Sequence, residues 1–177
     1  MLVRYHILMS SKSRKIVVFA GPTACGKSAA ALDFARANNG AIINADSQQV
    51  YAEVPLLSAA PSMADRESVP HKLYGFLRGD EQLDVVKWCR LAVAEIEAAW
   101  AARLQPVLVG GTGFYLKVLM EGVSPIPAAE WAVGATYEEL LQCDPESAVR
   151  INPSDRQRIE RAVGVFRLTG KTLSHFR

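Results

Sequence analysis

Apolar residues gather in three short, nearly continuous runs, each followed by small or polar residues. Ile16-Val17-Val18-Phe19-Ala20, Ala41-Ile42-Ile43-Asn44-Ala45 and Pro106-Val107-Leu108-Val109 are rich in β-branched residues, as expected of buried strands in a parallel sheet. Between the runs the pattern changes period. Lys27 to Ala37 is alanine-rich, with Leu32 and Phe34 among its apolar positions, and reads as a helix. Val85 to Arg103 reads as a longer alanine-rich helix, with Val86, Val93, Ile96 and Trp100 roughly at helical spacing, and Leu116 to Met120 continues as helix after the third run. A loop through Pro55, Pro61 and Pro70 separates the second run from the long helix. Strands alternating with helices predict an α/β fold, a parallel sheet flanked by helices.

Composition narrows the class. The chain has 177 residues, half of them hydrophobic, enough for one domain with a real core and too few for a second full domain. Three cysteines, Cys25, Cys89 and Cys143, are odd in number and lack ligand-like spacing, which argues against a disulfide framework or a zinc site and for reduced thiols in a cytoplasm. Met1 to Ser10 is too short and too polar for a signal or membrane segment. Residues 1–14 read as a flexible leader, and Met9 would serve equally well as a start. The net charge is +2, but Arg150 to Arg177 holds seven Lys or Arg against Asp155 and Glu160, a local +5 that leaves −3 on the remainder. A basic stretch of this kind permits a polyanionic partner, because Lys and Arg displace condensed counterions; a solvated helix face is the commoner explanation.

The most specific chemistry follows the first run. Gly21-Pro22-Thr23-Ala24-Cys25-Gly26-Lys27-Ser28 has the spacing of a phosphate-binding, nucleotide-binding loop between a strand and a helix. Its glycines let backbone N–H groups turn inward around a polyphosphate, Lys27 neutralises the outer phosphates, and the Ser28 hydroxyl supplies part of a Mg2+ shell. The second run opens directly onto Asp46-Ser47-Gln48-Gln49-Val50-Tyr51. Polar residues at the carboxyl end of a strand beside such a loop lie in the ligand crevice of an open α/β sheet, which makes Asp46 a candidate catalytic or metal-binding carboxylate; its bland role is a helix N-cap. The third run enters Gly110-Gly111-Thr112-Gly113-Phe114-Tyr115, a second glycine-rich turn that suits a substrate with two parts or, more simply, tight packing of strand on helix.

Taken together, the phosphate loop, Asp46 to Tyr51, Val69-Pro70-His71, Val109 to Leu116, and Asp155-Arg156-Gln157-Arg158-Ile159 with Arg161 resemble the tRNA dimethylallyltransferases, in the family's order, from about Lys15 to the end of the chain. The resemblance implies a P-loop NTPase-like core over 15–124 and transfer of a dimethylallyl group from dimethylallyl diphosphate to the exocyclic N6 of the adenine beside a tRNA anticodon. It implies Asp46 as general base, Thr112 as a hydroxyl at the reaction centre, and Lys27 with the loop as stabilisers of the departing pyrophosphate. Because the base must leave its stack to react, Ser47, Gln48 and Gln49 join Asp46 and Thr112 as expected tRNA contacts. If Pro153 opens a helix, Ile159, Val163 and Phe166 form its inner stripe while Gln157 and Arg161 share another face; the family's matching tRNA contacts are Gln157, Arg158, Ile159, Glu160 and Arg161. Mg2+ is the implied cofactor, tRNA and dimethylallyl diphosphate the implied partners, a monomer the implied state, and no membrane is involved.

The chain also departs from that pattern. Family members carry further helices after Thr169-Gly170-Lys171, and the helical insertion is reduced to 125–145, with Trp131 and Tyr137 to Leu141 as its remnant, before a basic helical segment over 146–177 that returns to the core. Apolar strands left uncovered by absent helices predict poor solubility for the isolated chain. Two rivals therefore stand beside the main reading: another P-loop transferase, either an adenylate prenyltransferase or a small-molecule kinase, and an inactive phosphate- or RNA-binding remnant.

Overall fold

The computed structural model describes residues 3–8, 14–22, 24–122, 126 and 129–176, in two compact units, 1–122 and 123–177. Five strands form the sheet of the first unit: β1 (Val3–Leu8), β2 (Lys15–Ala20), β3 (Gly40–Asn44), β4 (His71–Lys72) and β5 (Gln105–Gly110). Their order is β1-β2-β5-β3-β4. β2, β5, β3 and β4 run parallel, and β1 pairs antiparallel with β2 at the edge. The helices of this unit are α1 (Lys27–Ala37), α2 (Met63–Ser68), α3 (Val85–Ala101) and α4 (Gly113–Glu121).

Successive side chains of a strand face opposite ways, so the central strands must be apolar at every position to be covered on both sides. Ile16, Val18, Ile43 and Leu108 pack with Trp88, Ala92 and Ile96 of α3 and Tyr115 and Leu116 of α4. Val17, Phe19, Ile42, Val107 and Val109 pack on the other face with Ala31 and Ala35 of α1. Each fully buried aliphatic side chain contributes about 1.5–3 kcal/mol. All three predicted strands are present and parallel.

Three expectations are corrected. Residues 3–8 are not a structureless leader: they form β1, whose pairing satisfies backbone groups that β2 would otherwise leave open at a sheet edge. On α3 the buried face is Trp88, Ala92, Ile96 and Ala99, whereas Val86 and Val93 are exposed. The indole is what sets that face, since Trp88 Nε1 donates to the Asn44 carbonyl at 3.1 Å and the ring stacks on Tyr115 at 4.6 Å. The predicted helix over Lys27–Ala37 is present as α1; Ala31 and Ala35 are its fully buried residues, since the chain returns closely at Gly40, where a Cβ would stand 2.8 Å from Ala35 Cα.

The third concerns the second unit, which has an apolar core of its own. α5 (Tyr137–Cys143), α6 (Pro145–Arg150) and α7 (Arg156–Thr169) bury Leu140, Ala148, Ile151, Ile159, Val163 and Val165 in one cluster, so the segments read separately as 125–145 and 146–177 share a core. Pro153 does not open α7; Asp155 caps it, accepting from Arg158 N at 3.1 Å. Asp144 ends α5 and caps α6, and is buried. Its carboxylate accepts from Ser147 N and from the backbone and hydroxyl of Ser174. Burial pushes this carboxyl up, but those hydrogen bonds outweigh it and hold it below its ordinary value.

Candidate active site

Three strand ends build the site. After β2 the chain turns through Gly21 and Pro22, and Ala24 (φ 62°) and Gly26 (φ 80°) occupy the left-handed region before α1 begins at Lys27. Gly26 has no side chain to cap the helix and the first turn holds no acidic residue, so the leading N–H groups of α1 are left to an anion. Lys27 folds back, its Nζ donating to the Pro22 carbonyl at 3.2 Å, and Ser28 is exposed. Thr23 lies outside the described residues.

Asn44 wires the second strand end. This fully buried amide accepts from Asp46 N at 2.9 Å and donates to the carbonyls of Asp46 and Leu73, both at 3.0 Å. The bend so fixed turns Asp46 out of the sheet. One carboxylate oxygen, Oδ1, accepts from Gln48 N at 2.9 Å. The other, Oδ2, is directed at the third strand end: a Cβ placed on Gly111 would lie 3.8 Å from Asp46 Oδ2, 3.8 Å from Lys27 Nζ and 3.5 Å from the Gly21 carbonyl. Acid and lysine therefore converge on one point that the absence of a side chain at Gly111 keeps open.

Thr112 follows. Its Oγ1 accepts from Ser47 N at 3.0 Å and sits 3.4 Å from Ser47 Oγ, stapling the β5 turn to the β3 turn. Gln49 Nε2 donates to the carbonyls of Ser58 and Ala59, at 2.8 and 3.2 Å, and so shapes the loop that closes the crevice. A cavity of about 330 Å³ results, lined by the phosphate loop, Asp46, Gln49, Ser58 and Ala59. The sequence reading missed Asn44 as an organising residue and missed Ser58 and Ala59 as a wall.

A smaller cavity of about 240 Å³ adjoins Ser28 and reaches His71 and Tyr74. Burial pushes the Tyr74 phenol well above its ordinary value. His71 Nδ1–H donates to the Val69 carbonyl at 2.7 Å, and burial pulls its imidazole below 6.5. The unfolded chain therefore takes up this proton more readily than the folded one. The neutral ring's contribution to stability is complete above about pH 6.5 and is lost as pH falls through the lower folded value. Denaturant titrations from pH 7.5 to 5 are expected to show a decline that is shallower in His71→Gln, about the range in which histidine charges.

The remaining predicted contacts lie on α7 in the second unit. Gln157, Arg158 and Arg161 are exposed, and Arg158 pairs with Asp155 at 3.1 Å. Ile159 is only 2 % exposed and lies with Val163 in that unit's core, as the inner stripe predicted from their spacing has it. Glu160 is half-buried and accepts from Gly134 N at 2.9 Å, a bond internal to the unit.

Against this geometry, residues 49–177 match the family model described as IPP transferase. The chain belongs to the IPP transferase family. Among curated relatives of this IPP transferase-family chain, the tRNA dimethylallyltransferase of Rhodospirillum rubrum is 46% identical over 179 residues, covering 94% of this chain and 55% of the relative. That of Azorhizobium caulinodans is 43% identical over 173 residues, covering 90% and 55%. Two solved structures are similar. A eukaryotic dimethylallyltransferase acting on tRNA superposes with a TM-score of 0.79 at 28% identity, over 92% of this chain and 44% of that one. The tRNA isopentenylpyrophosphate transferase of Bacillus halodurans gives 0.59 at 30%, over 87% and 55%. The chain thus spans about half the length of the curated relatives it matches.

Proposed function

We propose that this chain forms the catalytic core of a tRNA dimethylallyltransferase, moving a dimethylallyl group from dimethylallyl diphosphate to N6 of the adenine beside the anticodon. The observation that carries the reading is the convergence of Asp46 Oδ2 and Lys27 Nζ above Gly111, next to the uncapped start of α1. An aryl amine is a weak nucleophile, its lone pair being delocalised into the ring. In the proposed reaction the N6–C bond forms as the allylic C–O bond breaks, pyrophosphate leaves with the electron pair, and Asp46 takes the proton from N6. Charge growing on the leaving group is met by the N–H groups of the phosphate loop and by Lys27. Thr112 orients Ser47, placing the Asp46–Gln49 turn against the incoming adenine.

Mg2+ fits this donor set as a diphosphate-borne ion. Among the described residues no group of three or more His, Cys, Asp or Glu could hold a metal, so Ser28 would provide one hard oxygen ligand beside diphosphate oxygens and water. The ion would supply charge neutralisation of the diphosphate. No described helix is long and apolar enough to cross a membrane. Gln157, Arg158 and Arg161 are the basic and polar side chains that α7 offers to RNA phosphates.

The reading is tested by incubating the chain with labelled dimethylallyl diphosphate and Mg2+ in the presence of unmodified tRNA or of AMP. Label is expected in the tRNA. Label in AMP alone would point to an adenylate prenyltransferase, and a folded chain that labels neither would contradict transfer by this core.

A further inference from the structure

Beyond Gln49, which lines the phosphate-loop cavity, the first unit holds a third cavity, of about 460 Å³, that the reaction as described does not use. Its walls are mainly apolar, including Tyr51, Pro55, Leu56 and Met63, and Arg66 of α2 also lines it. Leu56 and Met63 are 96% and 72% exposed, so the rim is apolar as well.

Arg66 is the unexplained group. It is half-buried, its Nε is fully buried without a hydrogen-bond partner, and among the described residues its side chain forms no ion pair. The neighbouring carboxylate is committed elsewhere: Asp65 Oδ2 accepts from Ser62 N and Oγ, and Oδ1 faces Arg36 at 3.9 Å. What holds the guanidinium is the face of Tyr74, with Cζ 5.5 Å from the ring centroid, a contact that spends none of its N–H donors. Gln49 is in the opposite condition. Its amide donors are engaged by the Ser58 and Ala59 carbonyls, leaving Oε1 as an acceptor at the junction of the two cavities.

Apolar walls with a fixed donor fork at one end suit a flat ring with polar atoms only at its edge. A phosphate would face mostly apolar walls, with one guanidinium to offset its charge. We propose that this cavity takes a nucleobase of the RNA strand next to the reacting adenine, with Arg66 donating to an acceptor edge of that base. The proposal rests on the tRNA reading above and adds a specificity-determining residue to it. Bases splayed from a single strand are commonly read in this way, by contact on the ring face and hydrogen bonds at the edge.

The test measures binding of an unmodified anticodon stem–loop RNA to the chain and to its Arg66→Ala and Arg66→Lys variants, with each nucleotide flanking the target adenosine replaced in turn by an abasic one. Arg66→Ala is expected to weaken binding of the intact RNA about tenfold, and that difference should vanish when one of the two flanking bases is removed. Arg66→Lys should behave like the alanine variant while keeping the charge, because an ammonium lacks the planar fork. Equal losses on intact and abasic RNA, recovery by lysine, or a salt dependence shallower by about one phosphate contact would overturn the base pocket and leave the transfer reading standing. A folded wild-type chain that does not bind the stem–loop would overturn both.

Discussion

Replacing Asp46 by asparagine is expected to lower the rate of transfer to tRNA by roughly 10²–10⁴-fold while leaving the affinity for dimethylallyl diphosphate nearly unchanged. The substitution is close to isosteric. The Oδ1 contact with Gln48 N and the Asn44 bonds to the Asp46 backbone involve atoms that an asparagine retains. What disappears is the capacity of the second oxygen, the one aimed at the space above Gly111, to accept a proton. Single-turnover rates with saturating tRNA, together with calorimetric titration of the diphosphate, separate the two effects. A near-native rate in Asp46→Asn would remove the carboxylate from the chemistry.

The largest expected effect on stability comes from Gly110→Ala. A Cβ at this position would lie 2.1 Å from the Ala45 carbonyl oxygen, 2.2 Å from its carbon and 2.8 Å from its Cα. These are backbone atoms at the end of β3, tied to β5 by the Ala45 N bond to the Val109 carbonyl at 2.8 Å, so no side-chain rotation relieves the contact. Overpacking of a well-packed core costs about 1–3 kcal/mol, and a clash of backbone with backbone is expected at the top of that range, near 3 kcal/mol. Gly113→Ala is the matching control, since a Cβ there meets nothing within 4 Å. Urea titrations of the two variants should differ widely, with Gly113→Ala close to the native midpoint. Similar midpoints would mean that the two strand ends are not locked together as described.

Features set by local sequence were the ones that could be read without coordinates. The three apolar runs are strands because residues buried on both faces leave no polar alternation, and the phosphate loop is visible because its glycines, lysine and serine are contiguous. Asp46, Thr112 and Lys27 were legible as candidates since each directly follows, or shortly follows, a strand. Features set by distant contacts were not legible. Asn44 sits inside an apolar run, and its importance comes from bonds to Asp46 and to Leu73, far along the chain. β4 is two residues long, too short to carry a periodic pattern. The α3 face was misjudged because β-branched valines outrank alanine in a sequence reading, whereas the close approach of helix and sheet favours Ala92 and Ala99 beside one large indole. Arg66 lies in a polar stretch in which nothing marks it until the packing of Tyr74 and the commitments of Asp65 are known. Ile159 and Val163 could be placed by spacing on the inner stripe of α7, but the partners that cover them, Leu140 of α5 and Ala148 of α6, could not.

The measurement that bears most directly on the central claim is mass spectrometry of nucleosides from tRNA incubated with the chain, dimethylallyl diphosphate and Mg2+. One added dimethylallyl group is expected, on N6 of the adenosine beside the anticodon, present with the native chain and absent with Asp46→Asn. Unmodified adenosine at that position after incubation with folded native chain, or a prenyl group on another nucleoside, would contradict it.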